Sequence, residues 1–526
     1  MPMSAPGRSH AFAPQRAAHH AVPCAAARPP RPAARLAPGL LALGLWAGCA
    51  QQPSVPPKPQ PTPAESAARL EAEAAAIARA AQEARLAAAR QRAEEAYVYG
   101  YPLVLGEMYR QQMSGAGRPE GVRVPANTFW HARRLPPAGE PHPLVDEADT
   151  LASFAWLDLG REPMLVTHPA MGRRWFSLAL HSQWMQVLEQ SGSGLGDGRA
   201  ARLLVTGPEW SGSVPAGVRH VRSPTRHVLL SVRILASGGA ADLGEARALQ
   251  SQLRIVPQTP RTRGARLAAG SAEPAAVAVP GTSPQQRVEA LDTAAYFDLL
   301  AQLLGSSAAP AAADAPLLER IAALGVEPGR RFDMAALEPA VQAALADTAA
   351  RALQRLRGQQ PLLYAAEGGW QLLLPQADFG TDYLRRAAVA LAAWPGPPPA
   401  RQLLLMRTRV DAAGMALSGA HDYRLVFDRQ HRPPSGGFWS LTLQVEQGGQ
   451  RSFAPGGVDR VGLGSRDRLA GDADGSLPLI VQNLSPGIDD AARWLPVPTG
   501  DFMLALRLYL PRRGASWTPP PVSRLP

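Results

Sequence analysis

The sequence predicts an α+β, β-rich protein: two antiparallel β-sandwich or jelly-roll-like domains joined by a helical connector, preceded by a signal peptide, a Pro-rich tether and an Ala-rich helix. Three observations carry this expectation. The chain has 526 residues, more than one hydrophobic core usually organises. Short period-2 segments punctuated by Gly, Pro and Asp occur in two blocks, with helical periodicity between them. The first hundred residues change composition in steps, from basic and apolar to Pro-rich to Ala/Glu/Arg-rich.

Taken in order, residues 1–48 read as a targeting segment. Arg28, Arg31 and Arg35 lead into an apolar run from Leu36 to Trp46 that is too short to span a bilayer as a mature helix. Ala47-Gly48-Cys49 follows and resembles the lipobox of bacterial lipoproteins, in which the cysteine is lipidated and becomes the first mature residue. Trp46 departs from that box, with Leu45 one place early, and an ordinary secretory signal cut nearby is the alternative. The stretch before Arg28 is long for a signal, so a start downstream of Met1 is an expectation the sequence leaves open. Ala50 after the cysteine favours the outer membrane, by the same resemblance. Cys24 lies in the leader, so a mature chain would hold only the acylated Cys49 and form no intrachain disulfide. Residues 49–63 form the lipidated cysteine and an extended tether, and residues 64–96 a spacer helix in which Glu65 with Arg69, and Arg90 with Glu94, are spaced to pair.

The net charge of +11 and a pI near 10.4 raise nucleic acid as a partner. The leader alone holds five arginines and no acid, so its removal lowers the net charge to +6. Lys58 is the only lysine, and the arginines are scattered, which fits a coding bias better than a phosphate-binding face. No nucleic-acid partner is expected.

Residues 97–257 form the N-terminal β-rich domain, opening where aromatics replace alanines in Glu95-Ala-Tyr-Val-Tyr-Gly-Tyr-Pro-Leu-Val104. Its strands fall near 157–167, broken by a turn, then 175–180, 202–206 and 227–235. In the last, Val228, Leu230, Val232 and Ile234 share one face, leaving His227, Ser231 and Arg233 on the other. Residues 258–284 lack a period and read as a flexible linker, and 285–380 as the helical connector. There one helix carries Val288 to Leu304, a second starts at Asp314 with Pro316 and ends at Gly325, and a third runs from Pro339 to Leu356. The C-terminal domain, 381–526, has strands near 403–410, 423–427, 438–445, 477–482 and 502–510. Asp411 to Gly414 and Asp472 to Gly475 supply turn chemistry. Trp439, Leu441, Leu443 and Val445 alternate with Ser440, Thr442, Gln444 and Glu446, the pattern of a strand with one buried and one solvated face.

The segments EAYVYGYPLV, AWLDLGREPMLV, GRRWFSLALHSQW, PAGVRHVRSPTRHVLLSVR, FWSLTLQV, DADGSLPLIVQNLSPG and WLPVPTGDFMLALRLY occur in an order that resembles bacterial proteins pairing the domains of unknown function 1254 (N-terminal) and 1214 (C-terminal). The resemblance covers roughly 95–526. It brings no catalytic residues. Ala152 departs from the usual Tyr of a Thr-Leu-Tyr motif, and Gly457 to Arg460 replaces an Asn-containing one.

Chemistry is sparse. The chain has no GxSxG elbow, HExxH, P-loop or GxGxxG, so no cofactor or metal site is expected. His168 with His181, and His220 with His227, are better read as hydrogen-bonded or surface residues than as metal ligands. Asp472 to Gly475 reads as a hairpin turn, not a calcium loop. Asp149, Asp158, Asp382, Asp422 and Glu446 could supply a general acid/base pair, but solvated strand edges, caps and salt bridges are the better account of them. Trp130, Trp156, Trp184, Trp439 and Trp494 could stack on flat ligands, but core packing accounts for most. The candidate ligand site gathers Arg222, Arg233, Asp158 and His227. If the polar face of 227–235 is covered, Arg233 must pair with an internal acid such as Asp158 or with an anionic ligand.

The functional expectation is a non-catalytic cell-envelope lipoprotein, held at the outer membrane through Cys49, that binds a small anionic molecule, a glycan or a protein partner. The alternative is an envelope hydrolase or other small-molecule enzyme using a carboxylate pair or an Arg-lined pocket. Self-association into a homo-oligomer is left open by the sequence.

Overall fold

The first helix, α1 (Pro63–Met113), starts in the alanine, glutamate and arginine stretch, which favours helix, and runs on well past Ala96 through Gly100, Pro102 and Gly106. The computed structural model describes residues 62–114, 123–139, 147–196, 198–258, 283–307, 312–373, 379–396, 398–447, 450–454, 460–512 and 517–526. The expected leader, Cys49, the tether up to residue 61 and most of the 258–284 linker lie outside them. Residues 1–71 and 72–526 are separate units. In the first, α1 opens on a capping box: Glu65 N–H donates to Thr62 Oγ1 at 3.2 Å, and Thr62 N–H to Glu65 Oε2 at 2.7 Å. Glu65 thus serves the cap, not the expected pair with Arg69, and in the second unit Glu94 meets Arg355 at 2.8 Å.

Within the second unit α1 is exposed through Arg85, and burial is complete from Ala96. The aromatic stretch expected to open the β-rich domain is instead the buried end of this helix. Gly100 is required there, since a Cβ would lie 2.6 Å from Leu300 of the helix packed against it.

Strands then follow: β1 (Trp130–His131), β2 (Thr150–Asp158), β3 (Met164–His168), β4 (Phe176–Ser182), β5 (Val187–Gly192), β6 (Ala201–Thr206), β7 (Arg219–Arg222) and β8 (His227–Leu235), with α2 (Ala240–Gln250) and β9 (Arg254–Pro257). They form two sheets, ordered β1-β2-β8-β4-β5 and β7-β6-β3-β9. Leu157, Leu230 and Val232 of the first share one core with Val166, Leu203 and Val205 of the second. The opposite face of the first sheet is also covered. Phe154, Trp156 and Leu229 there pack into the helical core.

That core is built by the end of α1 with α3 (Pro284–Glu289), α4 (Thr293–Gly305), α5 (Ala315–Ala322), α6 (Pro339–Leu345), α7 (Thr348–Gln359) and α8 (Tyr383–Ala393). The helical connector is present, but two of its expected helices are each broken. Asp292 caps α4 by accepting from Ala295 N–H at 2.7 Å, splitting 288–304. Asp347 stands at the N-terminus of α7 and divides 339–356. Gly325, at φ +88°, follows α5 as expected.

The C-terminal half has β10 (Tyr364–Glu367), β11 (Trp370–Leu373), β12 (Leu403–Thr408), β13 (Tyr423–Phe427), β14 (Trp439–Gln447), β15 (Gln450–Phe453), β16 (Gly462–Gly464), β17 (Leu477–Gln482), β18 (Trp494–Pro496), β19 (Met503–Tyr509) and β20 (Ser523–Arg524). One sheet runs β10-β11-β12-β19-β14-β15 with β16 also on β14, and the other β18-β17-β13-β20. Leu441, Leu443, Leu504 and Leu506 of the first meet Leu425 and Leu479 of the second. The chain is therefore α+β with both antiparallel and mixed sheets: β6 with β7, and β17 with β18, pair in parallel, contrary to a purely antiparallel expectation.

One further expectation fails. The polar face of β14 is not solvated, because Ser440, Thr442 and Gln444 are 5%, 1% and 1% exposed. The alternation was read correctly, but the covering layer is the N-terminal half. Trp175, Phe438 and Tyr509 form an aromatic cluster across the junction, with Phe438 and Tyr509 stacked at 3.9 Å.

Candidate functional site

Between the covered faces of the two large sheets lies a cavity of about 300 Å³. Alternation aims its side chains. In β8 the even-numbered residues enter the inter-sheet core, so Leu229, Ser231 and Arg233 face the cavity. In β19 Leu504, Leu506 and Leu508 enter the C-terminal core while Arg507 and Tyr509 face the cavity. On the N-terminal side, registered neighbours Ala179–Ser231 and Ser177–Arg233 make a floor of small side chains around Arg233. The C-terminal sheet supplies Arg407 of β12 and Arg451 of β15 besides Arg507. The ends of α1 and α8 add Tyr109 and Trp394, stacked at 4.6 Å.

Glu147, 3% exposed, is the charge partner of Arg233, at 2.8 Å. Its other oxygen accepts from the Tyr509 hydroxyl at 2.9 Å. That hydroxyl is shared with Asp149 Oδ2, also at 2.9 Å, which further accepts from Ser440 at 2.5 Å. The second Asp149 oxygen takes Arg466 at 2.8 Å. Residues entering β2 are thus latched to β14 and β19. Burial, then the negative Asp149 and Glu147, push the Tyr509 phenol well above its usual range, so it remains a donor. Arg507, fully buried, donates to Thr442 Oγ1 at 2.7 Å. Burial lowers His181, on the cavity wall, to a pKa of about 4, which leaves it neutral at pH 7.

Of the four residues expected to bind ligand, the structure brings only Arg233 to this cavity. Asp158 pairs in register with His227 and Ala152 with Arg233, so Asp158 stands six residues away, about 20 Å along the strand. It cannot be the partner of Arg233. Instead it takes Arg226 in a two-pronged contact at 2.7 and 2.9 Å. Burial raises the Asp158 carboxyl, but hydrogen bonds from Arg226 and Gly160 and the nearby His227 outweigh it and hold it at about 2. His227 is buried 3.9 Å from Asp158; burial first, then Arg110, lower it to about 3. Arg222 is exposed and donates to Pro208 O at 2.6 Å.

The remaining candidates disperse. Asp382 caps α8 and Glu446 pairs with Arg409, while Asp422 is exposed. Trp156 stacks on Trp394 at 5.7 Å, Trp184 lies under the Arg386 guanidinium at 4.9 Å, and Trp439 and Trp494 are buried. Trp130 is half-buried and stacks on Phe154 at 6.1 Å. Asp472 to Gly475 forms a turn, with Gly475 N–H donating to Asp472 O at 2.9 Å. His168 and His220 have local partners, Pro169 O and Thr206 Oγ1. Among the described residues no three His, Cys, Asp or Glu side chains are grouped to hold a metal ion, and no helix is long and apolar enough to cross a membrane. Sequence reasoning missed Glu147, Arg407, Arg451, Arg507 and Tyr509. The alternation of 503–509 could have placed the last two on one face, but nothing near Glu147 forms a motif.

Residues 126–257 match the family described as "Protein of unknown function (DUF1254)" and residues 402–513 "Protein of unknown function (DUF1214)". No curated protein matches. The VPA0106 protein from Vibrio parahaemolyticus, known from a crystal structure, is similar at TM-score 0.60 and 22% identity over 83% of this chain and 100% of its own, a likeness of fold. An uncharacterised protein from Burkholderia cenocepacia aligns at TM-score 0.36 and 14% identity over 84% of this chain and 96% of its own.

Proposed function

We propose that this chain, which carries a DUF1254 region ahead of a DUF1214 region, is a binding protein for a small organic anion, tethered to the cell envelope through a lipidated Cys49. One observation carries the binding half of the reading. Among the described residues, the charged side chains lining the cavity are four guanidiniums, from Arg233, Arg407, Arg451 and Arg507, and one carboxylate, Glu147. A guanidinium has donors beyond those a single partner takes, and an anion whose planar oxygens match its fork suits a confined space lined by several of them. A carboxylate pair for acid/base work finds no support there, since Glu147 is held by Arg233 and Tyr509 and is the only lining carboxylate described. The envelope half rests on the apolar run and Ala47-Gly48-Cys49.

Melting of the full chain in the presence of acetate, succinate, benzoate and phosphate tests the site. A bound anion at a hundred times its Kd adds about 2.7 kcal/mol of stability. At least one anion should raise the Tm of the parent, and Arg407→Gln should lose the response. No shift from any anion, or an equal shift in both proteins, overturns the reading. For the anchor, Cys49→Ser should abolish fatty-acyl labelling and release the chain from membranes, and retention of label refutes it.

A further inference from the structure

The charges of the cavity are segregated by element. Among the described residues, every charged residue that lines it belongs to a strand or, for Glu147, to the entry of β2. The described residues that the helices and the loop after α8 contribute are uncharged and include Tyr109, Pro284, Trp394, Pro395 and Pro399. Leu403 and Leu405 continue this apolar wall along β12 up to Arg407. Register places Leu405 opposite Arg507 and Arg407 opposite Ala505, so Arg407 and Arg507 are diagonal same-face neighbours, about 7–8 Å apart at the backbone. Arg507 is fully buried, so the guanidinium accessible at the end of this wall is that of the half-buried Arg407. Among the described residues no charged side chain awaits a second anionic group on the helix and loop side, where it would be desolvated without a partner.

We infer that the ligand is an amphiphilic monocarboxylate, a short fatty or arylalkanoic acid whose carboxylate meets Arg407 and whose apolar body lies against Leu403, Leu405 and Trp394. This rests on the anion-binding reading and narrows it to a class. A cavity of about 300 Å³ lies at the small end of ligand pockets, suiting an acid of on the order of ten to fifteen non-hydrogen atoms. The small floor residues Ser177, Ala179 and Ser231 provide the room, because a larger side chain at any of them would project into the same space.

Titration calorimetry on the full chain with octanoate, 4-phenylbutyrate, succinate and octanamide tests the class. Octanoate or 4-phenylbutyrate should bind at least tenfold more tightly than succinate and octanamide, and Ala179→Leu should weaken that binding at least tenfold while leaving the circular dichroism unchanged. Should Ala179→Leu fail to fold, Ser231→Val on the neighbouring strand makes the same test. Succinate binding as tightly as octanoate overturns the amphiphile class and leaves the anion site standing. Octanamide binding as tightly as octanoate overturns the anion site as well, whereas an absence of binding by all four overturns the amphiphile class and leaves the anion site to the acetate, benzoate and phosphate melts. Unweakened binding in the floor variant places the ligand elsewhere and overturns the assignment to this cavity.

Discussion

Asp149→Ala removes the carboxylate that ties the entry of β2 to the C-terminal sheet. The side chain is almost fully buried and accepts from Ser440 at 2.5 Å, from Tyr509 at 2.9 Å and from Arg466 at 2.8 Å. Hydrogen bonds to a charged acceptor are worth about 1.5–3 kcal/mol each, and a buried donor left without one costs about 1–3 kcal/mol. Ser440, 5% exposed, loses its acceptor, whereas Tyr509 keeps Glu147 and Arg466, 30% exposed at its side chain, keeps Ala236 O and can rehydrate. The predicted loss is therefore about 3–5 kcal/mol, the range for deleting one partner of a buried pair. Urea unfolding followed by circular dichroism, with the midpoint compared at unchanged slope, measures it. A double-mutant cycle with Ser440→Ala should show a coupling of about 1 kcal/mol or more, since the two side chains share a hydrogen bond. A loss below about 1 kcal/mol, or no coupling, refutes the claim that this carboxylate holds the two halves together.

Thr442→Val keeps shape and improves strand propensity, so on a solvated face it would be neutral or stabilising. Because Thr442 is 1% exposed and accepts from buried Arg507, a loss of about 1–3 kcal/mol is predicted instead, and an unchanged urea midpoint would contradict it. His181 titrates near 4 in the fold against about 6.5 unfolded, so between those values the unfolded chain takes up a proton that the folded one does not. Stability should fall as pH drops from about 6.5 to 4, by about 3 kcal/mol from this residue, and His181→Gln should show a shallower slope in that window; an identical slope counts against it. Asp158 acts with the same sign in a more acid window. Its depressed pKa, about 2, contributes stability above about 3.8 that is lost as pH falls toward 2, so Asp158→Asn should flatten the profile only at that acid end, and flattening near neutrality would be inconsistent with the Arg226 pair.

What the sequence disclosed was local and what it concealed was contact between distant segments. The bounds of β8, β13 and β17 were legible because each alternates or runs apolar between Pro, Gly or Asp. The end of α1 was hidden, since a helix buried on all sides has no polar stripe to set its period and Pro102 reads as a breaker. In β14 alternation gave two faces but could not say what covered the polar one. Arg233 was expected to pair with an internal acid or an anion if covered. That partner is Glu147, 86 residues earlier and outside any motif, while the Asp158 proposed for it lies at the far end of the same strand pair. Arg407, Arg451 and Arg507 come from three separate strands, and only tertiary folding makes them neighbours of one cavity.

The latch also has a consequence for the order of assembly. Tyr509 closes on Glu147 and Asp149 across 362 and 360 residues, near the end of the chain. During synthesis, which supplies about 5–20 residues per second, the inner face of the N-terminal sheet must remain without its final cover until almost the whole polypeptide has emerged. Contacts of such long sequence separation form slowly, because the loop must be closed before the pairing rewards it. A nascent chain arrested before Met503 should therefore expose the Arg233 face and bind an aggregation-suppressing chaperone, and release of β19 should be the event that ends that vulnerability.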